Sequence, residues 1–341
     1  MHALIFPSVD WQTSLKNLVT DPAELLSILK LDPKLLPAAE AASELFPLRV
    51  PREFVARMEP GNPKDPLLLQ VLPLEAEFHE QAGFTDDPLQ EAESRPVPGV
   101  VHKYRDRVLL ILSGACAINC RYCFRRHFPY AENQISGPAK AEALSYIKQT
   151  PDLKEVILSG GDPLVTSDKR LFSLIDELEQ IPQLERLRIH TRLPVVVPSR
   201  ITTALADRLK RSRLNIVMVL HINHPQEISP ALNDACQLLS ARGVHLLNQA
   251  VLLKAVNDQA QIQVALSRAL FKAGILPYYL FLFDPVRGAS HFDIPQQQAQ
   301  LIAAQMQADL PGYLMPRLAQ EIPGRASKTL ILPDPNALGT F

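Results

Sequence analysis

Beginning near residue 105, short apolar runs alternate with longer amphipathic stretches, six times in succession. The apolar runs cover 108–112, 155–158, 187–190, 216–220, 245–249 and 278–283, and after the first gap they recur about every thirty residues. The amphipathic stretches cover 139–149, 169–180, 200–210, 227–241, 260–273 and 295–309. A strand followed by a helix, repeated in this way, builds parallel βα units. Buried parallel strands are apolar on both faces, as Ile216-Val-Met-Val-Leu220 is. No sequence self-similarity accompanies the period, which excludes a solenoid. The expected fold class is α/β: a partial (β/α)6 barrel over 101–310, with a mainly helical accessory segment over 1–100 before it and a C-terminal segment over 311–341. The accessory segment is rich in proline, as in Gly61-Asn-Pro-Lys-Asp-Pro66, and holds short helical patterns such as the one after Asp21, a plausible N-cap.

In parallel barrels, functional groups gather where strands end. Here each strand end carries one. A cysteine loop follows the first strand, Ser159-Gly160-Gly161-Asp162-Pro163 the second, and His190-Thr191-Arg192 the third. His221-Ile-Asn223-His224 follows the fourth, Asn248-Gln249 ends the fifth, and Asp284 closes the sixth. Six such ends in register point to one active site inside an open barrel.

The cysteine loop, Cys116-Ala-Ile-Asn-Cys120-Arg-Tyr-Cys123, holds three of the chain's four cysteines. Its spacing differs from the C-x-x-C pairs of zinc and dithiol sites and from the ferredoxin run. Three thiolates leave one corner of a four-iron cluster without a protein ligand, open to a small molecule such as S-adenosylmethionine. The glycines of the next loop let the backbone approach a ligand, and Asp162 can cap a helix or accept from an amine. Arg125 and Arg126 follow the third cysteine; a guanidinium there suits a carboxylate, although a solvated basic pair is the common alternative. His221 and His224 have a metal-ligand spacing but no third ligand nearby in sequence.

With 35 Lys+Arg against 36 Asp+Glu, no global field favours nucleic acid or an anionic membrane. The densest basic run, Arg208-Leu-Lys-Arg-Ser-Arg213, reads as a solvated helix end. No apolar run reaches the length of a membrane span, no leader is evident at the start, and clustered cysteines suit a reducing cytoplasm, so a cytoplasmic location without membrane contact is expected.

Taken together these residues resemble the lysine 2,3-aminomutases, radical-SAM enzymes that also carry pyridoxal 5′-phosphate (PLP). The likeness runs from about Pro51 to Lys328. It includes His102-Lys-Tyr104-Arg-Asp-Arg107, the cysteine run with Arg125, Ser159-Gly-Gly-Asp-Pro-Leu, Ile189-His-Thr-Arg-Leu-Pro-Val, Asn248-Gln-Ala-Val-Leu-Leu-Lys and Pro323-Gly-Arg-Ala-Ser-Lys328. The resemblance implies that Cys116, Cys120 and Cys123 hold a [4Fe-4S] cluster and that Ser159, Gly160, Gly161, Asp162, His221 and Gln249 line the S-adenosylmethionine (SAM) site. It implies Lys328 as the PLP Schiff-base lysine, Tyr104 and Arg107 as PLP contacts, Arg125 on the substrate carboxylate, and Asp284 and Glu321 on its distal ammonium. The barrel would then be a radical-SAM core and the C-terminal segment its PLP-binding part.

The implied reaction moves the α-amino group of L-lysine to Cβ. The short chain is similar to the bacterial branch that makes (R)-β-lysine for elongation factor P, which implies functional links to that factor and its β-lysine ligase and a flavodoxin- or ferredoxin-type electron donor. With no cysteine after Cys236, the zinc site of the longer enzymes is expected to be absent, and Glu321 stands where those enzymes carry aspartate. The same chemistry on another amino acid, or a radical-SAM oxidoreductase or protein modifier without PLP, are the alternatives.

Overall fold

All six apolar runs form strands in the computed structural model, which describes residues 10–334. Among these residues the sheet has nine strands, paired in chain order: β1 (Val100–Tyr104), β2 (Arg107–Ser113), β3 (Glu155–Gly160), β4 (Arg186–Thr191), β5 (Asn215–His221), β6 (His245–Val251), β7 (Leu276–Phe281), β8 (Arg317–Gln320) and β9 (Thr329–Leu330). Strands β2 to β8 run parallel, one more than expected. Antiparallel β1 and β9 line the two edges, so the chain after 310 completes the sheet rather than forming a separate layer.

Among the described residues four α-helices precede the sheet: α1 (Trp11–Lys16), α2 (Pro22–Ile28), α3 (Leu36–Leu45) and α4 (Arg52–Val55). Asp21 caps α2 by accepting from Ala23 N at 2.8 Å, a contact worth about 1 kcal/mol. The crossovers carry α5 (Pro138–Gln149), α6 (Asp168–Glu179), α7 (Leu193–Val196), α8 (Thr203–Lys210), α9 (Pro230–Ser240) and α10 (Ala260–Lys272), and α11 (Gln296–Asp309) precedes β8. Ser167, Thr202 and Ser229 cap α6, α8 and α9 in the same manner.

Alternation along the strands separates two environments. Leu187 and Ile189 of β4, and Ile216, Met218 and Leu220 of β5, belong to the buried apolar core shared with the helices. Leu25, Phe54, Leu68 and Leu72 of the accessory segment belong to the same core. The opposite face lines a lumen, and there β4 departs from the expected apolar run. Its inward residues are Arg186, Arg188 and His190, and Arg188 grips Glu155 of β3 with Nε at 3.0 Å and Nη2 at 2.5 Å.

The basic run at 208–213 is a helix end solvated in part: Lys210, Arg211 and Arg213 are exposed, whereas Arg208 is not. Arg208 is buried and ion-paired with Asp176 and Glu179, while Arg213 donates to the carbonyls of Glu179, Ile181 and Leu184. These contacts tie the end of α8 to that of α6. Among the described residues no helix is long and apolar enough to cross a membrane.

Candidate active site

The loop after β2 brings Cys116, Cys120 and Cys123 together as half-buried thiols outside any disulfide. Backbone and arginine contacts hold the loop from outside: Asn119 N donates to Arg49 O, Arg121 N to Gln70 O, and Arg49 Nη1 to Cys116 O. Arg121 itself is fully buried and forks onto Glu77. Burial pushes the Cys116 thiol up, with the charge of Asp162 next, and burial followed by the charge of Cys120 takes Cys123 to about 11. Holding Cys116 and Cys123 as thiolates therefore calls for a cationic centre beside them, which fits an iron–sulfur cluster. Among the described residues no three His, Cys, Asp or Glu close around a single metal ion, His221 and His224 included. Ligands of a four-iron cluster stand further apart than ligands of one ion.

The Gly160-Gly161-Asp162 turn packs directly under this loop. Gly161 N donates to Ser113 O at 2.7 Å and Asp162 N to Ala115 O at 2.8 Å. A Cβ on Gly161 would lie 2.4 Å from Ala115 O, and Gly160 has φ +119° with a Cβ position 2.5 Å from Ser113 O. The close approach expected toward a ligand is thus an approach to the root of the cysteine loop. Asp162 likewise takes the capping role of its two options. Its carboxylate accepts from Leu164 N, Thr191 Oγ1, Arg192 N and Leu193 N, which occupies both oxygens and corrects the expectation of an amine-binding side chain. Gly161→Ala is expected to lower stability by about 1–3 kcal/mol through overpacking. It should also reduce the iron retained after reconstitution, and a melting curve with an iron assay on one preparation checks both.

Behind Cys120 lies a buried polar network. Arg192 donates to Cys120 Sγ at 2.7 Å and Tyr122 Oη at 2.6 Å through Nη1, and to Gln70 and Glu227 through Nη2. Asn223 donates to Tyr122 Oη and Gln70. Tyr122 in turn stacks on His221, ring centroids 5.7 Å apart. His221 pairs in register with Gln249 on the lumen side. Burial first, then the charge of Arg192, takes His221 down to about 3, so it is neutral. The buried Nε2 atoms of His221 and His190 have no protein partner, and such atoms suit a polar ligand in the lumen.

At the other side of the lumen, the turn between β8 and β9 carries Lys328. Its Nζ donates to Glu321 Oε2 at 2.6 Å and lies 5.5 Å from the Tyr104 ring centroid and 5.2 Å from that of Phe281. The Arg107 guanidinium sits 4.2 Å over the Tyr104 ring. A primary amine, a phenol and a guanidinium in one place fit an aldehyde cofactor with a phosphate. Burial would raise Glu321, but Lys328 and Lys103 outweigh it and hold it at about 2; Lys328 is raised in return. Asp284 lies close enough to feel these charges, and burial followed by the charge of Glu321 takes it up to about 7.

Arg125 is buried and engaged by a residue the sequence did not single out, Glu91, with Nε at 2.7 Å and Nη2 at 2.8 Å. Its Nη1 reaches Ser159 Oγ at 3.3 Å. Lys103, also not singled out, donates to Glu321 at 2.8 Å and stands 3.6 Å from Glu91. An unbroken polar chain thus runs Ser159, Arg125, Glu91, Lys103, Glu321, Lys328.

Residues 105–189 match a family model described as a 4Fe-4S single cluster domain. A radical SAM methyltransferase from Sphaerobacter thermophilus overlaps 65% of this chain and 68% of its own at 17% identity, TM-score 0.48. An L-lysine 2,3-aminomutase of Clostridium subterminale is 35% identical over 95% of this chain and 78% of its own length. Those of Haemophilus influenzae and Escherichia coli are each 52% identical over 94% of this chain, covering 95% and 94% of their own. A cluster loop, a lumen and a lysine-bearing turn in one fold, with identity sustained across nearly the full chain, place this protein in the lysine 2,3-aminomutase family.

Proposed function

We propose that the chain transfers the α-amino group of L-lysine to its β-carbon, giving (R)-β-lysine. The observation that carries this reading is the polar chain that joins Arg125 to Lys328, beside a three-cysteine loop. When bound, the cluster and SAM supply a carbon radical that takes and returns a hydrogen atom, and PLP supplies the carbonyl that carries the migrating nitrogen.

The protein's own part is position and charge. Cys116, Cys120 and Cys123 are assigned to the cluster, and Ser159, His221 and Gln249 to the SAM side of the lumen. Gly160, Gly161 and Asp162 hold the loop beneath. Lys328 is assigned as the amine that attaches PLP, with Tyr104 and Arg107 beside it. Arg125 takes the substrate carboxylate, while Asp284 and Glu321 face its distal ammonium. A carboxylate pair matched to an ammonium disfavours glutamate, whose side chain it would repel. The reading extends to a one-electron donor of flavodoxin or ferredoxin type and a cytoplasmic setting. Modification of elongation factor P is the fate implied by likeness to the short branch.

Asp284 gives this reading a pH signature. Its carboxyl sits near 7, so it is protonated below that pH and charged above it. Only the charged form pairs with the substrate ammonium. The KM for L-lysine should therefore fall as pH rises through about 7, by up to about tenfold per unit on the acid side. In Asp284→Asn that limb should be missing; an unchanged profile in the variant would remove Asp284 from the binding site. Borohydride reduction of the PLP-loaded protein tests the assignment of Lys328: peptide mapping should find the pyridoxyl group there, and a label elsewhere contradicts it.

A further inference from the structure

Glu91 enters the lumen from the segment before the sheet, on a short 3-10 turn at Glu91–Ser94. Its side chain is 5% exposed and that of Arg125 8%. A guanidinium has two edges that can each grip a carboxylate, one formed by Nε with one Nη and one formed by the two Nη groups. Glu91 takes the first, with Oε2 accepting from Nε and Oε1 from Nη2. The second edge is left, and its Nη1 is on the Ser159 side, at the lumen end of β3. Glu91 Oε1 also stands 3.6 Å from Lys103 Nζ, and Lys103 is bound to Glu321, the partner of Lys328. One carboxylate therefore joins Arg125 to Lys103, and through Lys103 and Glu321 to Lys328.

We propose that Glu91 is a positioning residue: it fixes which edge of Arg125 is open to the substrate's α-carboxylate and, through Lys103, sets the distance from that edge to the Glu321–Lys328 pair. This rests on the proposed role of Arg125 as the group that binds the substrate carboxylate. An arginine without Glu91 would keep its charge but lose its orientation, and so would bind carboxylates of many lengths poorly rather than one well. The effect should fall on ligands that carry the carboxylate and spare those that lack it.

The test uses the cluster- and PLP-loaded enzyme, with L-lysine as substrate and 1,5-diaminopentane, which is lysine without its carboxylate, as competing ligand. Glu91→Gln should raise the KM for lysine on the order of tenfold or more, while the inhibition constant of the diamine stays within about twofold. Glu91→Asp keeps the charge and should recover part of the loss; it also carries the test if the glutamine variant fails to hold its cluster. In an Arg125→Gln background, Glu91→Gln should add no further loss of lysine binding, since the two act as one unit. Equal losses for lysine and diamine would mean general loosening and would overturn the proposal. So would a wild-type lysine KM in both Glu91 variants while Arg125→Gln is impaired. A wild-type KM in Arg125→Gln itself would instead overturn the assignment of Arg125 and the proposal with it.

Discussion

Cys120→Ala should fold, bind PLP and form no 5′-deoxyadenosine at all when SAM and a strong reductant are supplied. The loop around Cys120 is held by contacts that need no metal: Asn119 and Arg121 are pinned to Arg49 and Gln70 through backbone hydrogen bonds, and Ser113 is pinned to Gly161. The thiol itself is only half-buried, and Arg192, which donates to it, keeps Tyr122, Gln70 and Glu227 as partners in its absence. Stability should change by no more than about 1 kcal/mol, as for removal of a small side chain at a site where the surroundings remain satisfied. Iron content and 5′-deoxyadenosine should both collapse, because two thiolates cannot hold a cluster that three are needed to anchor. The same holds for Cys116 and Cys123. Retained SAM cleavage in any of the three variants would remove that residue from the ligand set.

Lys328→Ala should show the opposite division: cluster and SAM binding intact, β-lysine formation lost completely. Lys328 sits in the turn that joins β8 to antiparallel β9, and Ala319–Leu330 pairing returns the chain across the sheet edge. Removing the side chain takes away one ammonium from Glu321 but leaves Lys103 bound to it at 2.8 Å, so the local charge remains paired and the turn should persist. Lys328→Arg should be equally inactive although it keeps the positive charge, because a guanidinium does not form an imine. The division is read by measuring PLP retention after gel filtration beside iron content in the same samples. Wild-type rearrangement in Lys328→Ala would show that the covalent attachment lies elsewhere.

The parts of this molecule that were legible in sequence are those whose signal is local. Ile216-Val-Met-Val-Leu220 announces a buried strand on its own, and Cys116, Cys120 and Cys123 announce a soft-metal site by spacing alone. Strand β8, Arg317-Leu-Ala-Gln320, carries little apolar pattern; it is a strand because β7 offers it an edge to pair with. Glu91 and Lys103 were invisible for a related reason. Their partners Arg125 and Glu321 lie 34 and 218 positions away, and a lone charge looks solvated until the fold brings its partner to it. The glycines at 160 and 161 were recognised as sites of close approach, but sequence does not say what approaches. Here it is the backbone of Ser113 and Ala115.

One anaerobic assay tests the whole account: the enzyme with its cluster reconstituted, given PLP, SAM, dithionite and isotopically labelled L-lysine, with the amino acids resolved by chiral chromatography and mass detection. Labelled β-lysine is expected, as the (R) enantiomer. Formation of 5′-deoxyadenosine without β-lysine would contradict lysine as the substrate, and absence of both from a preparation shown to hold its cluster would contradict the catalytic reading itself.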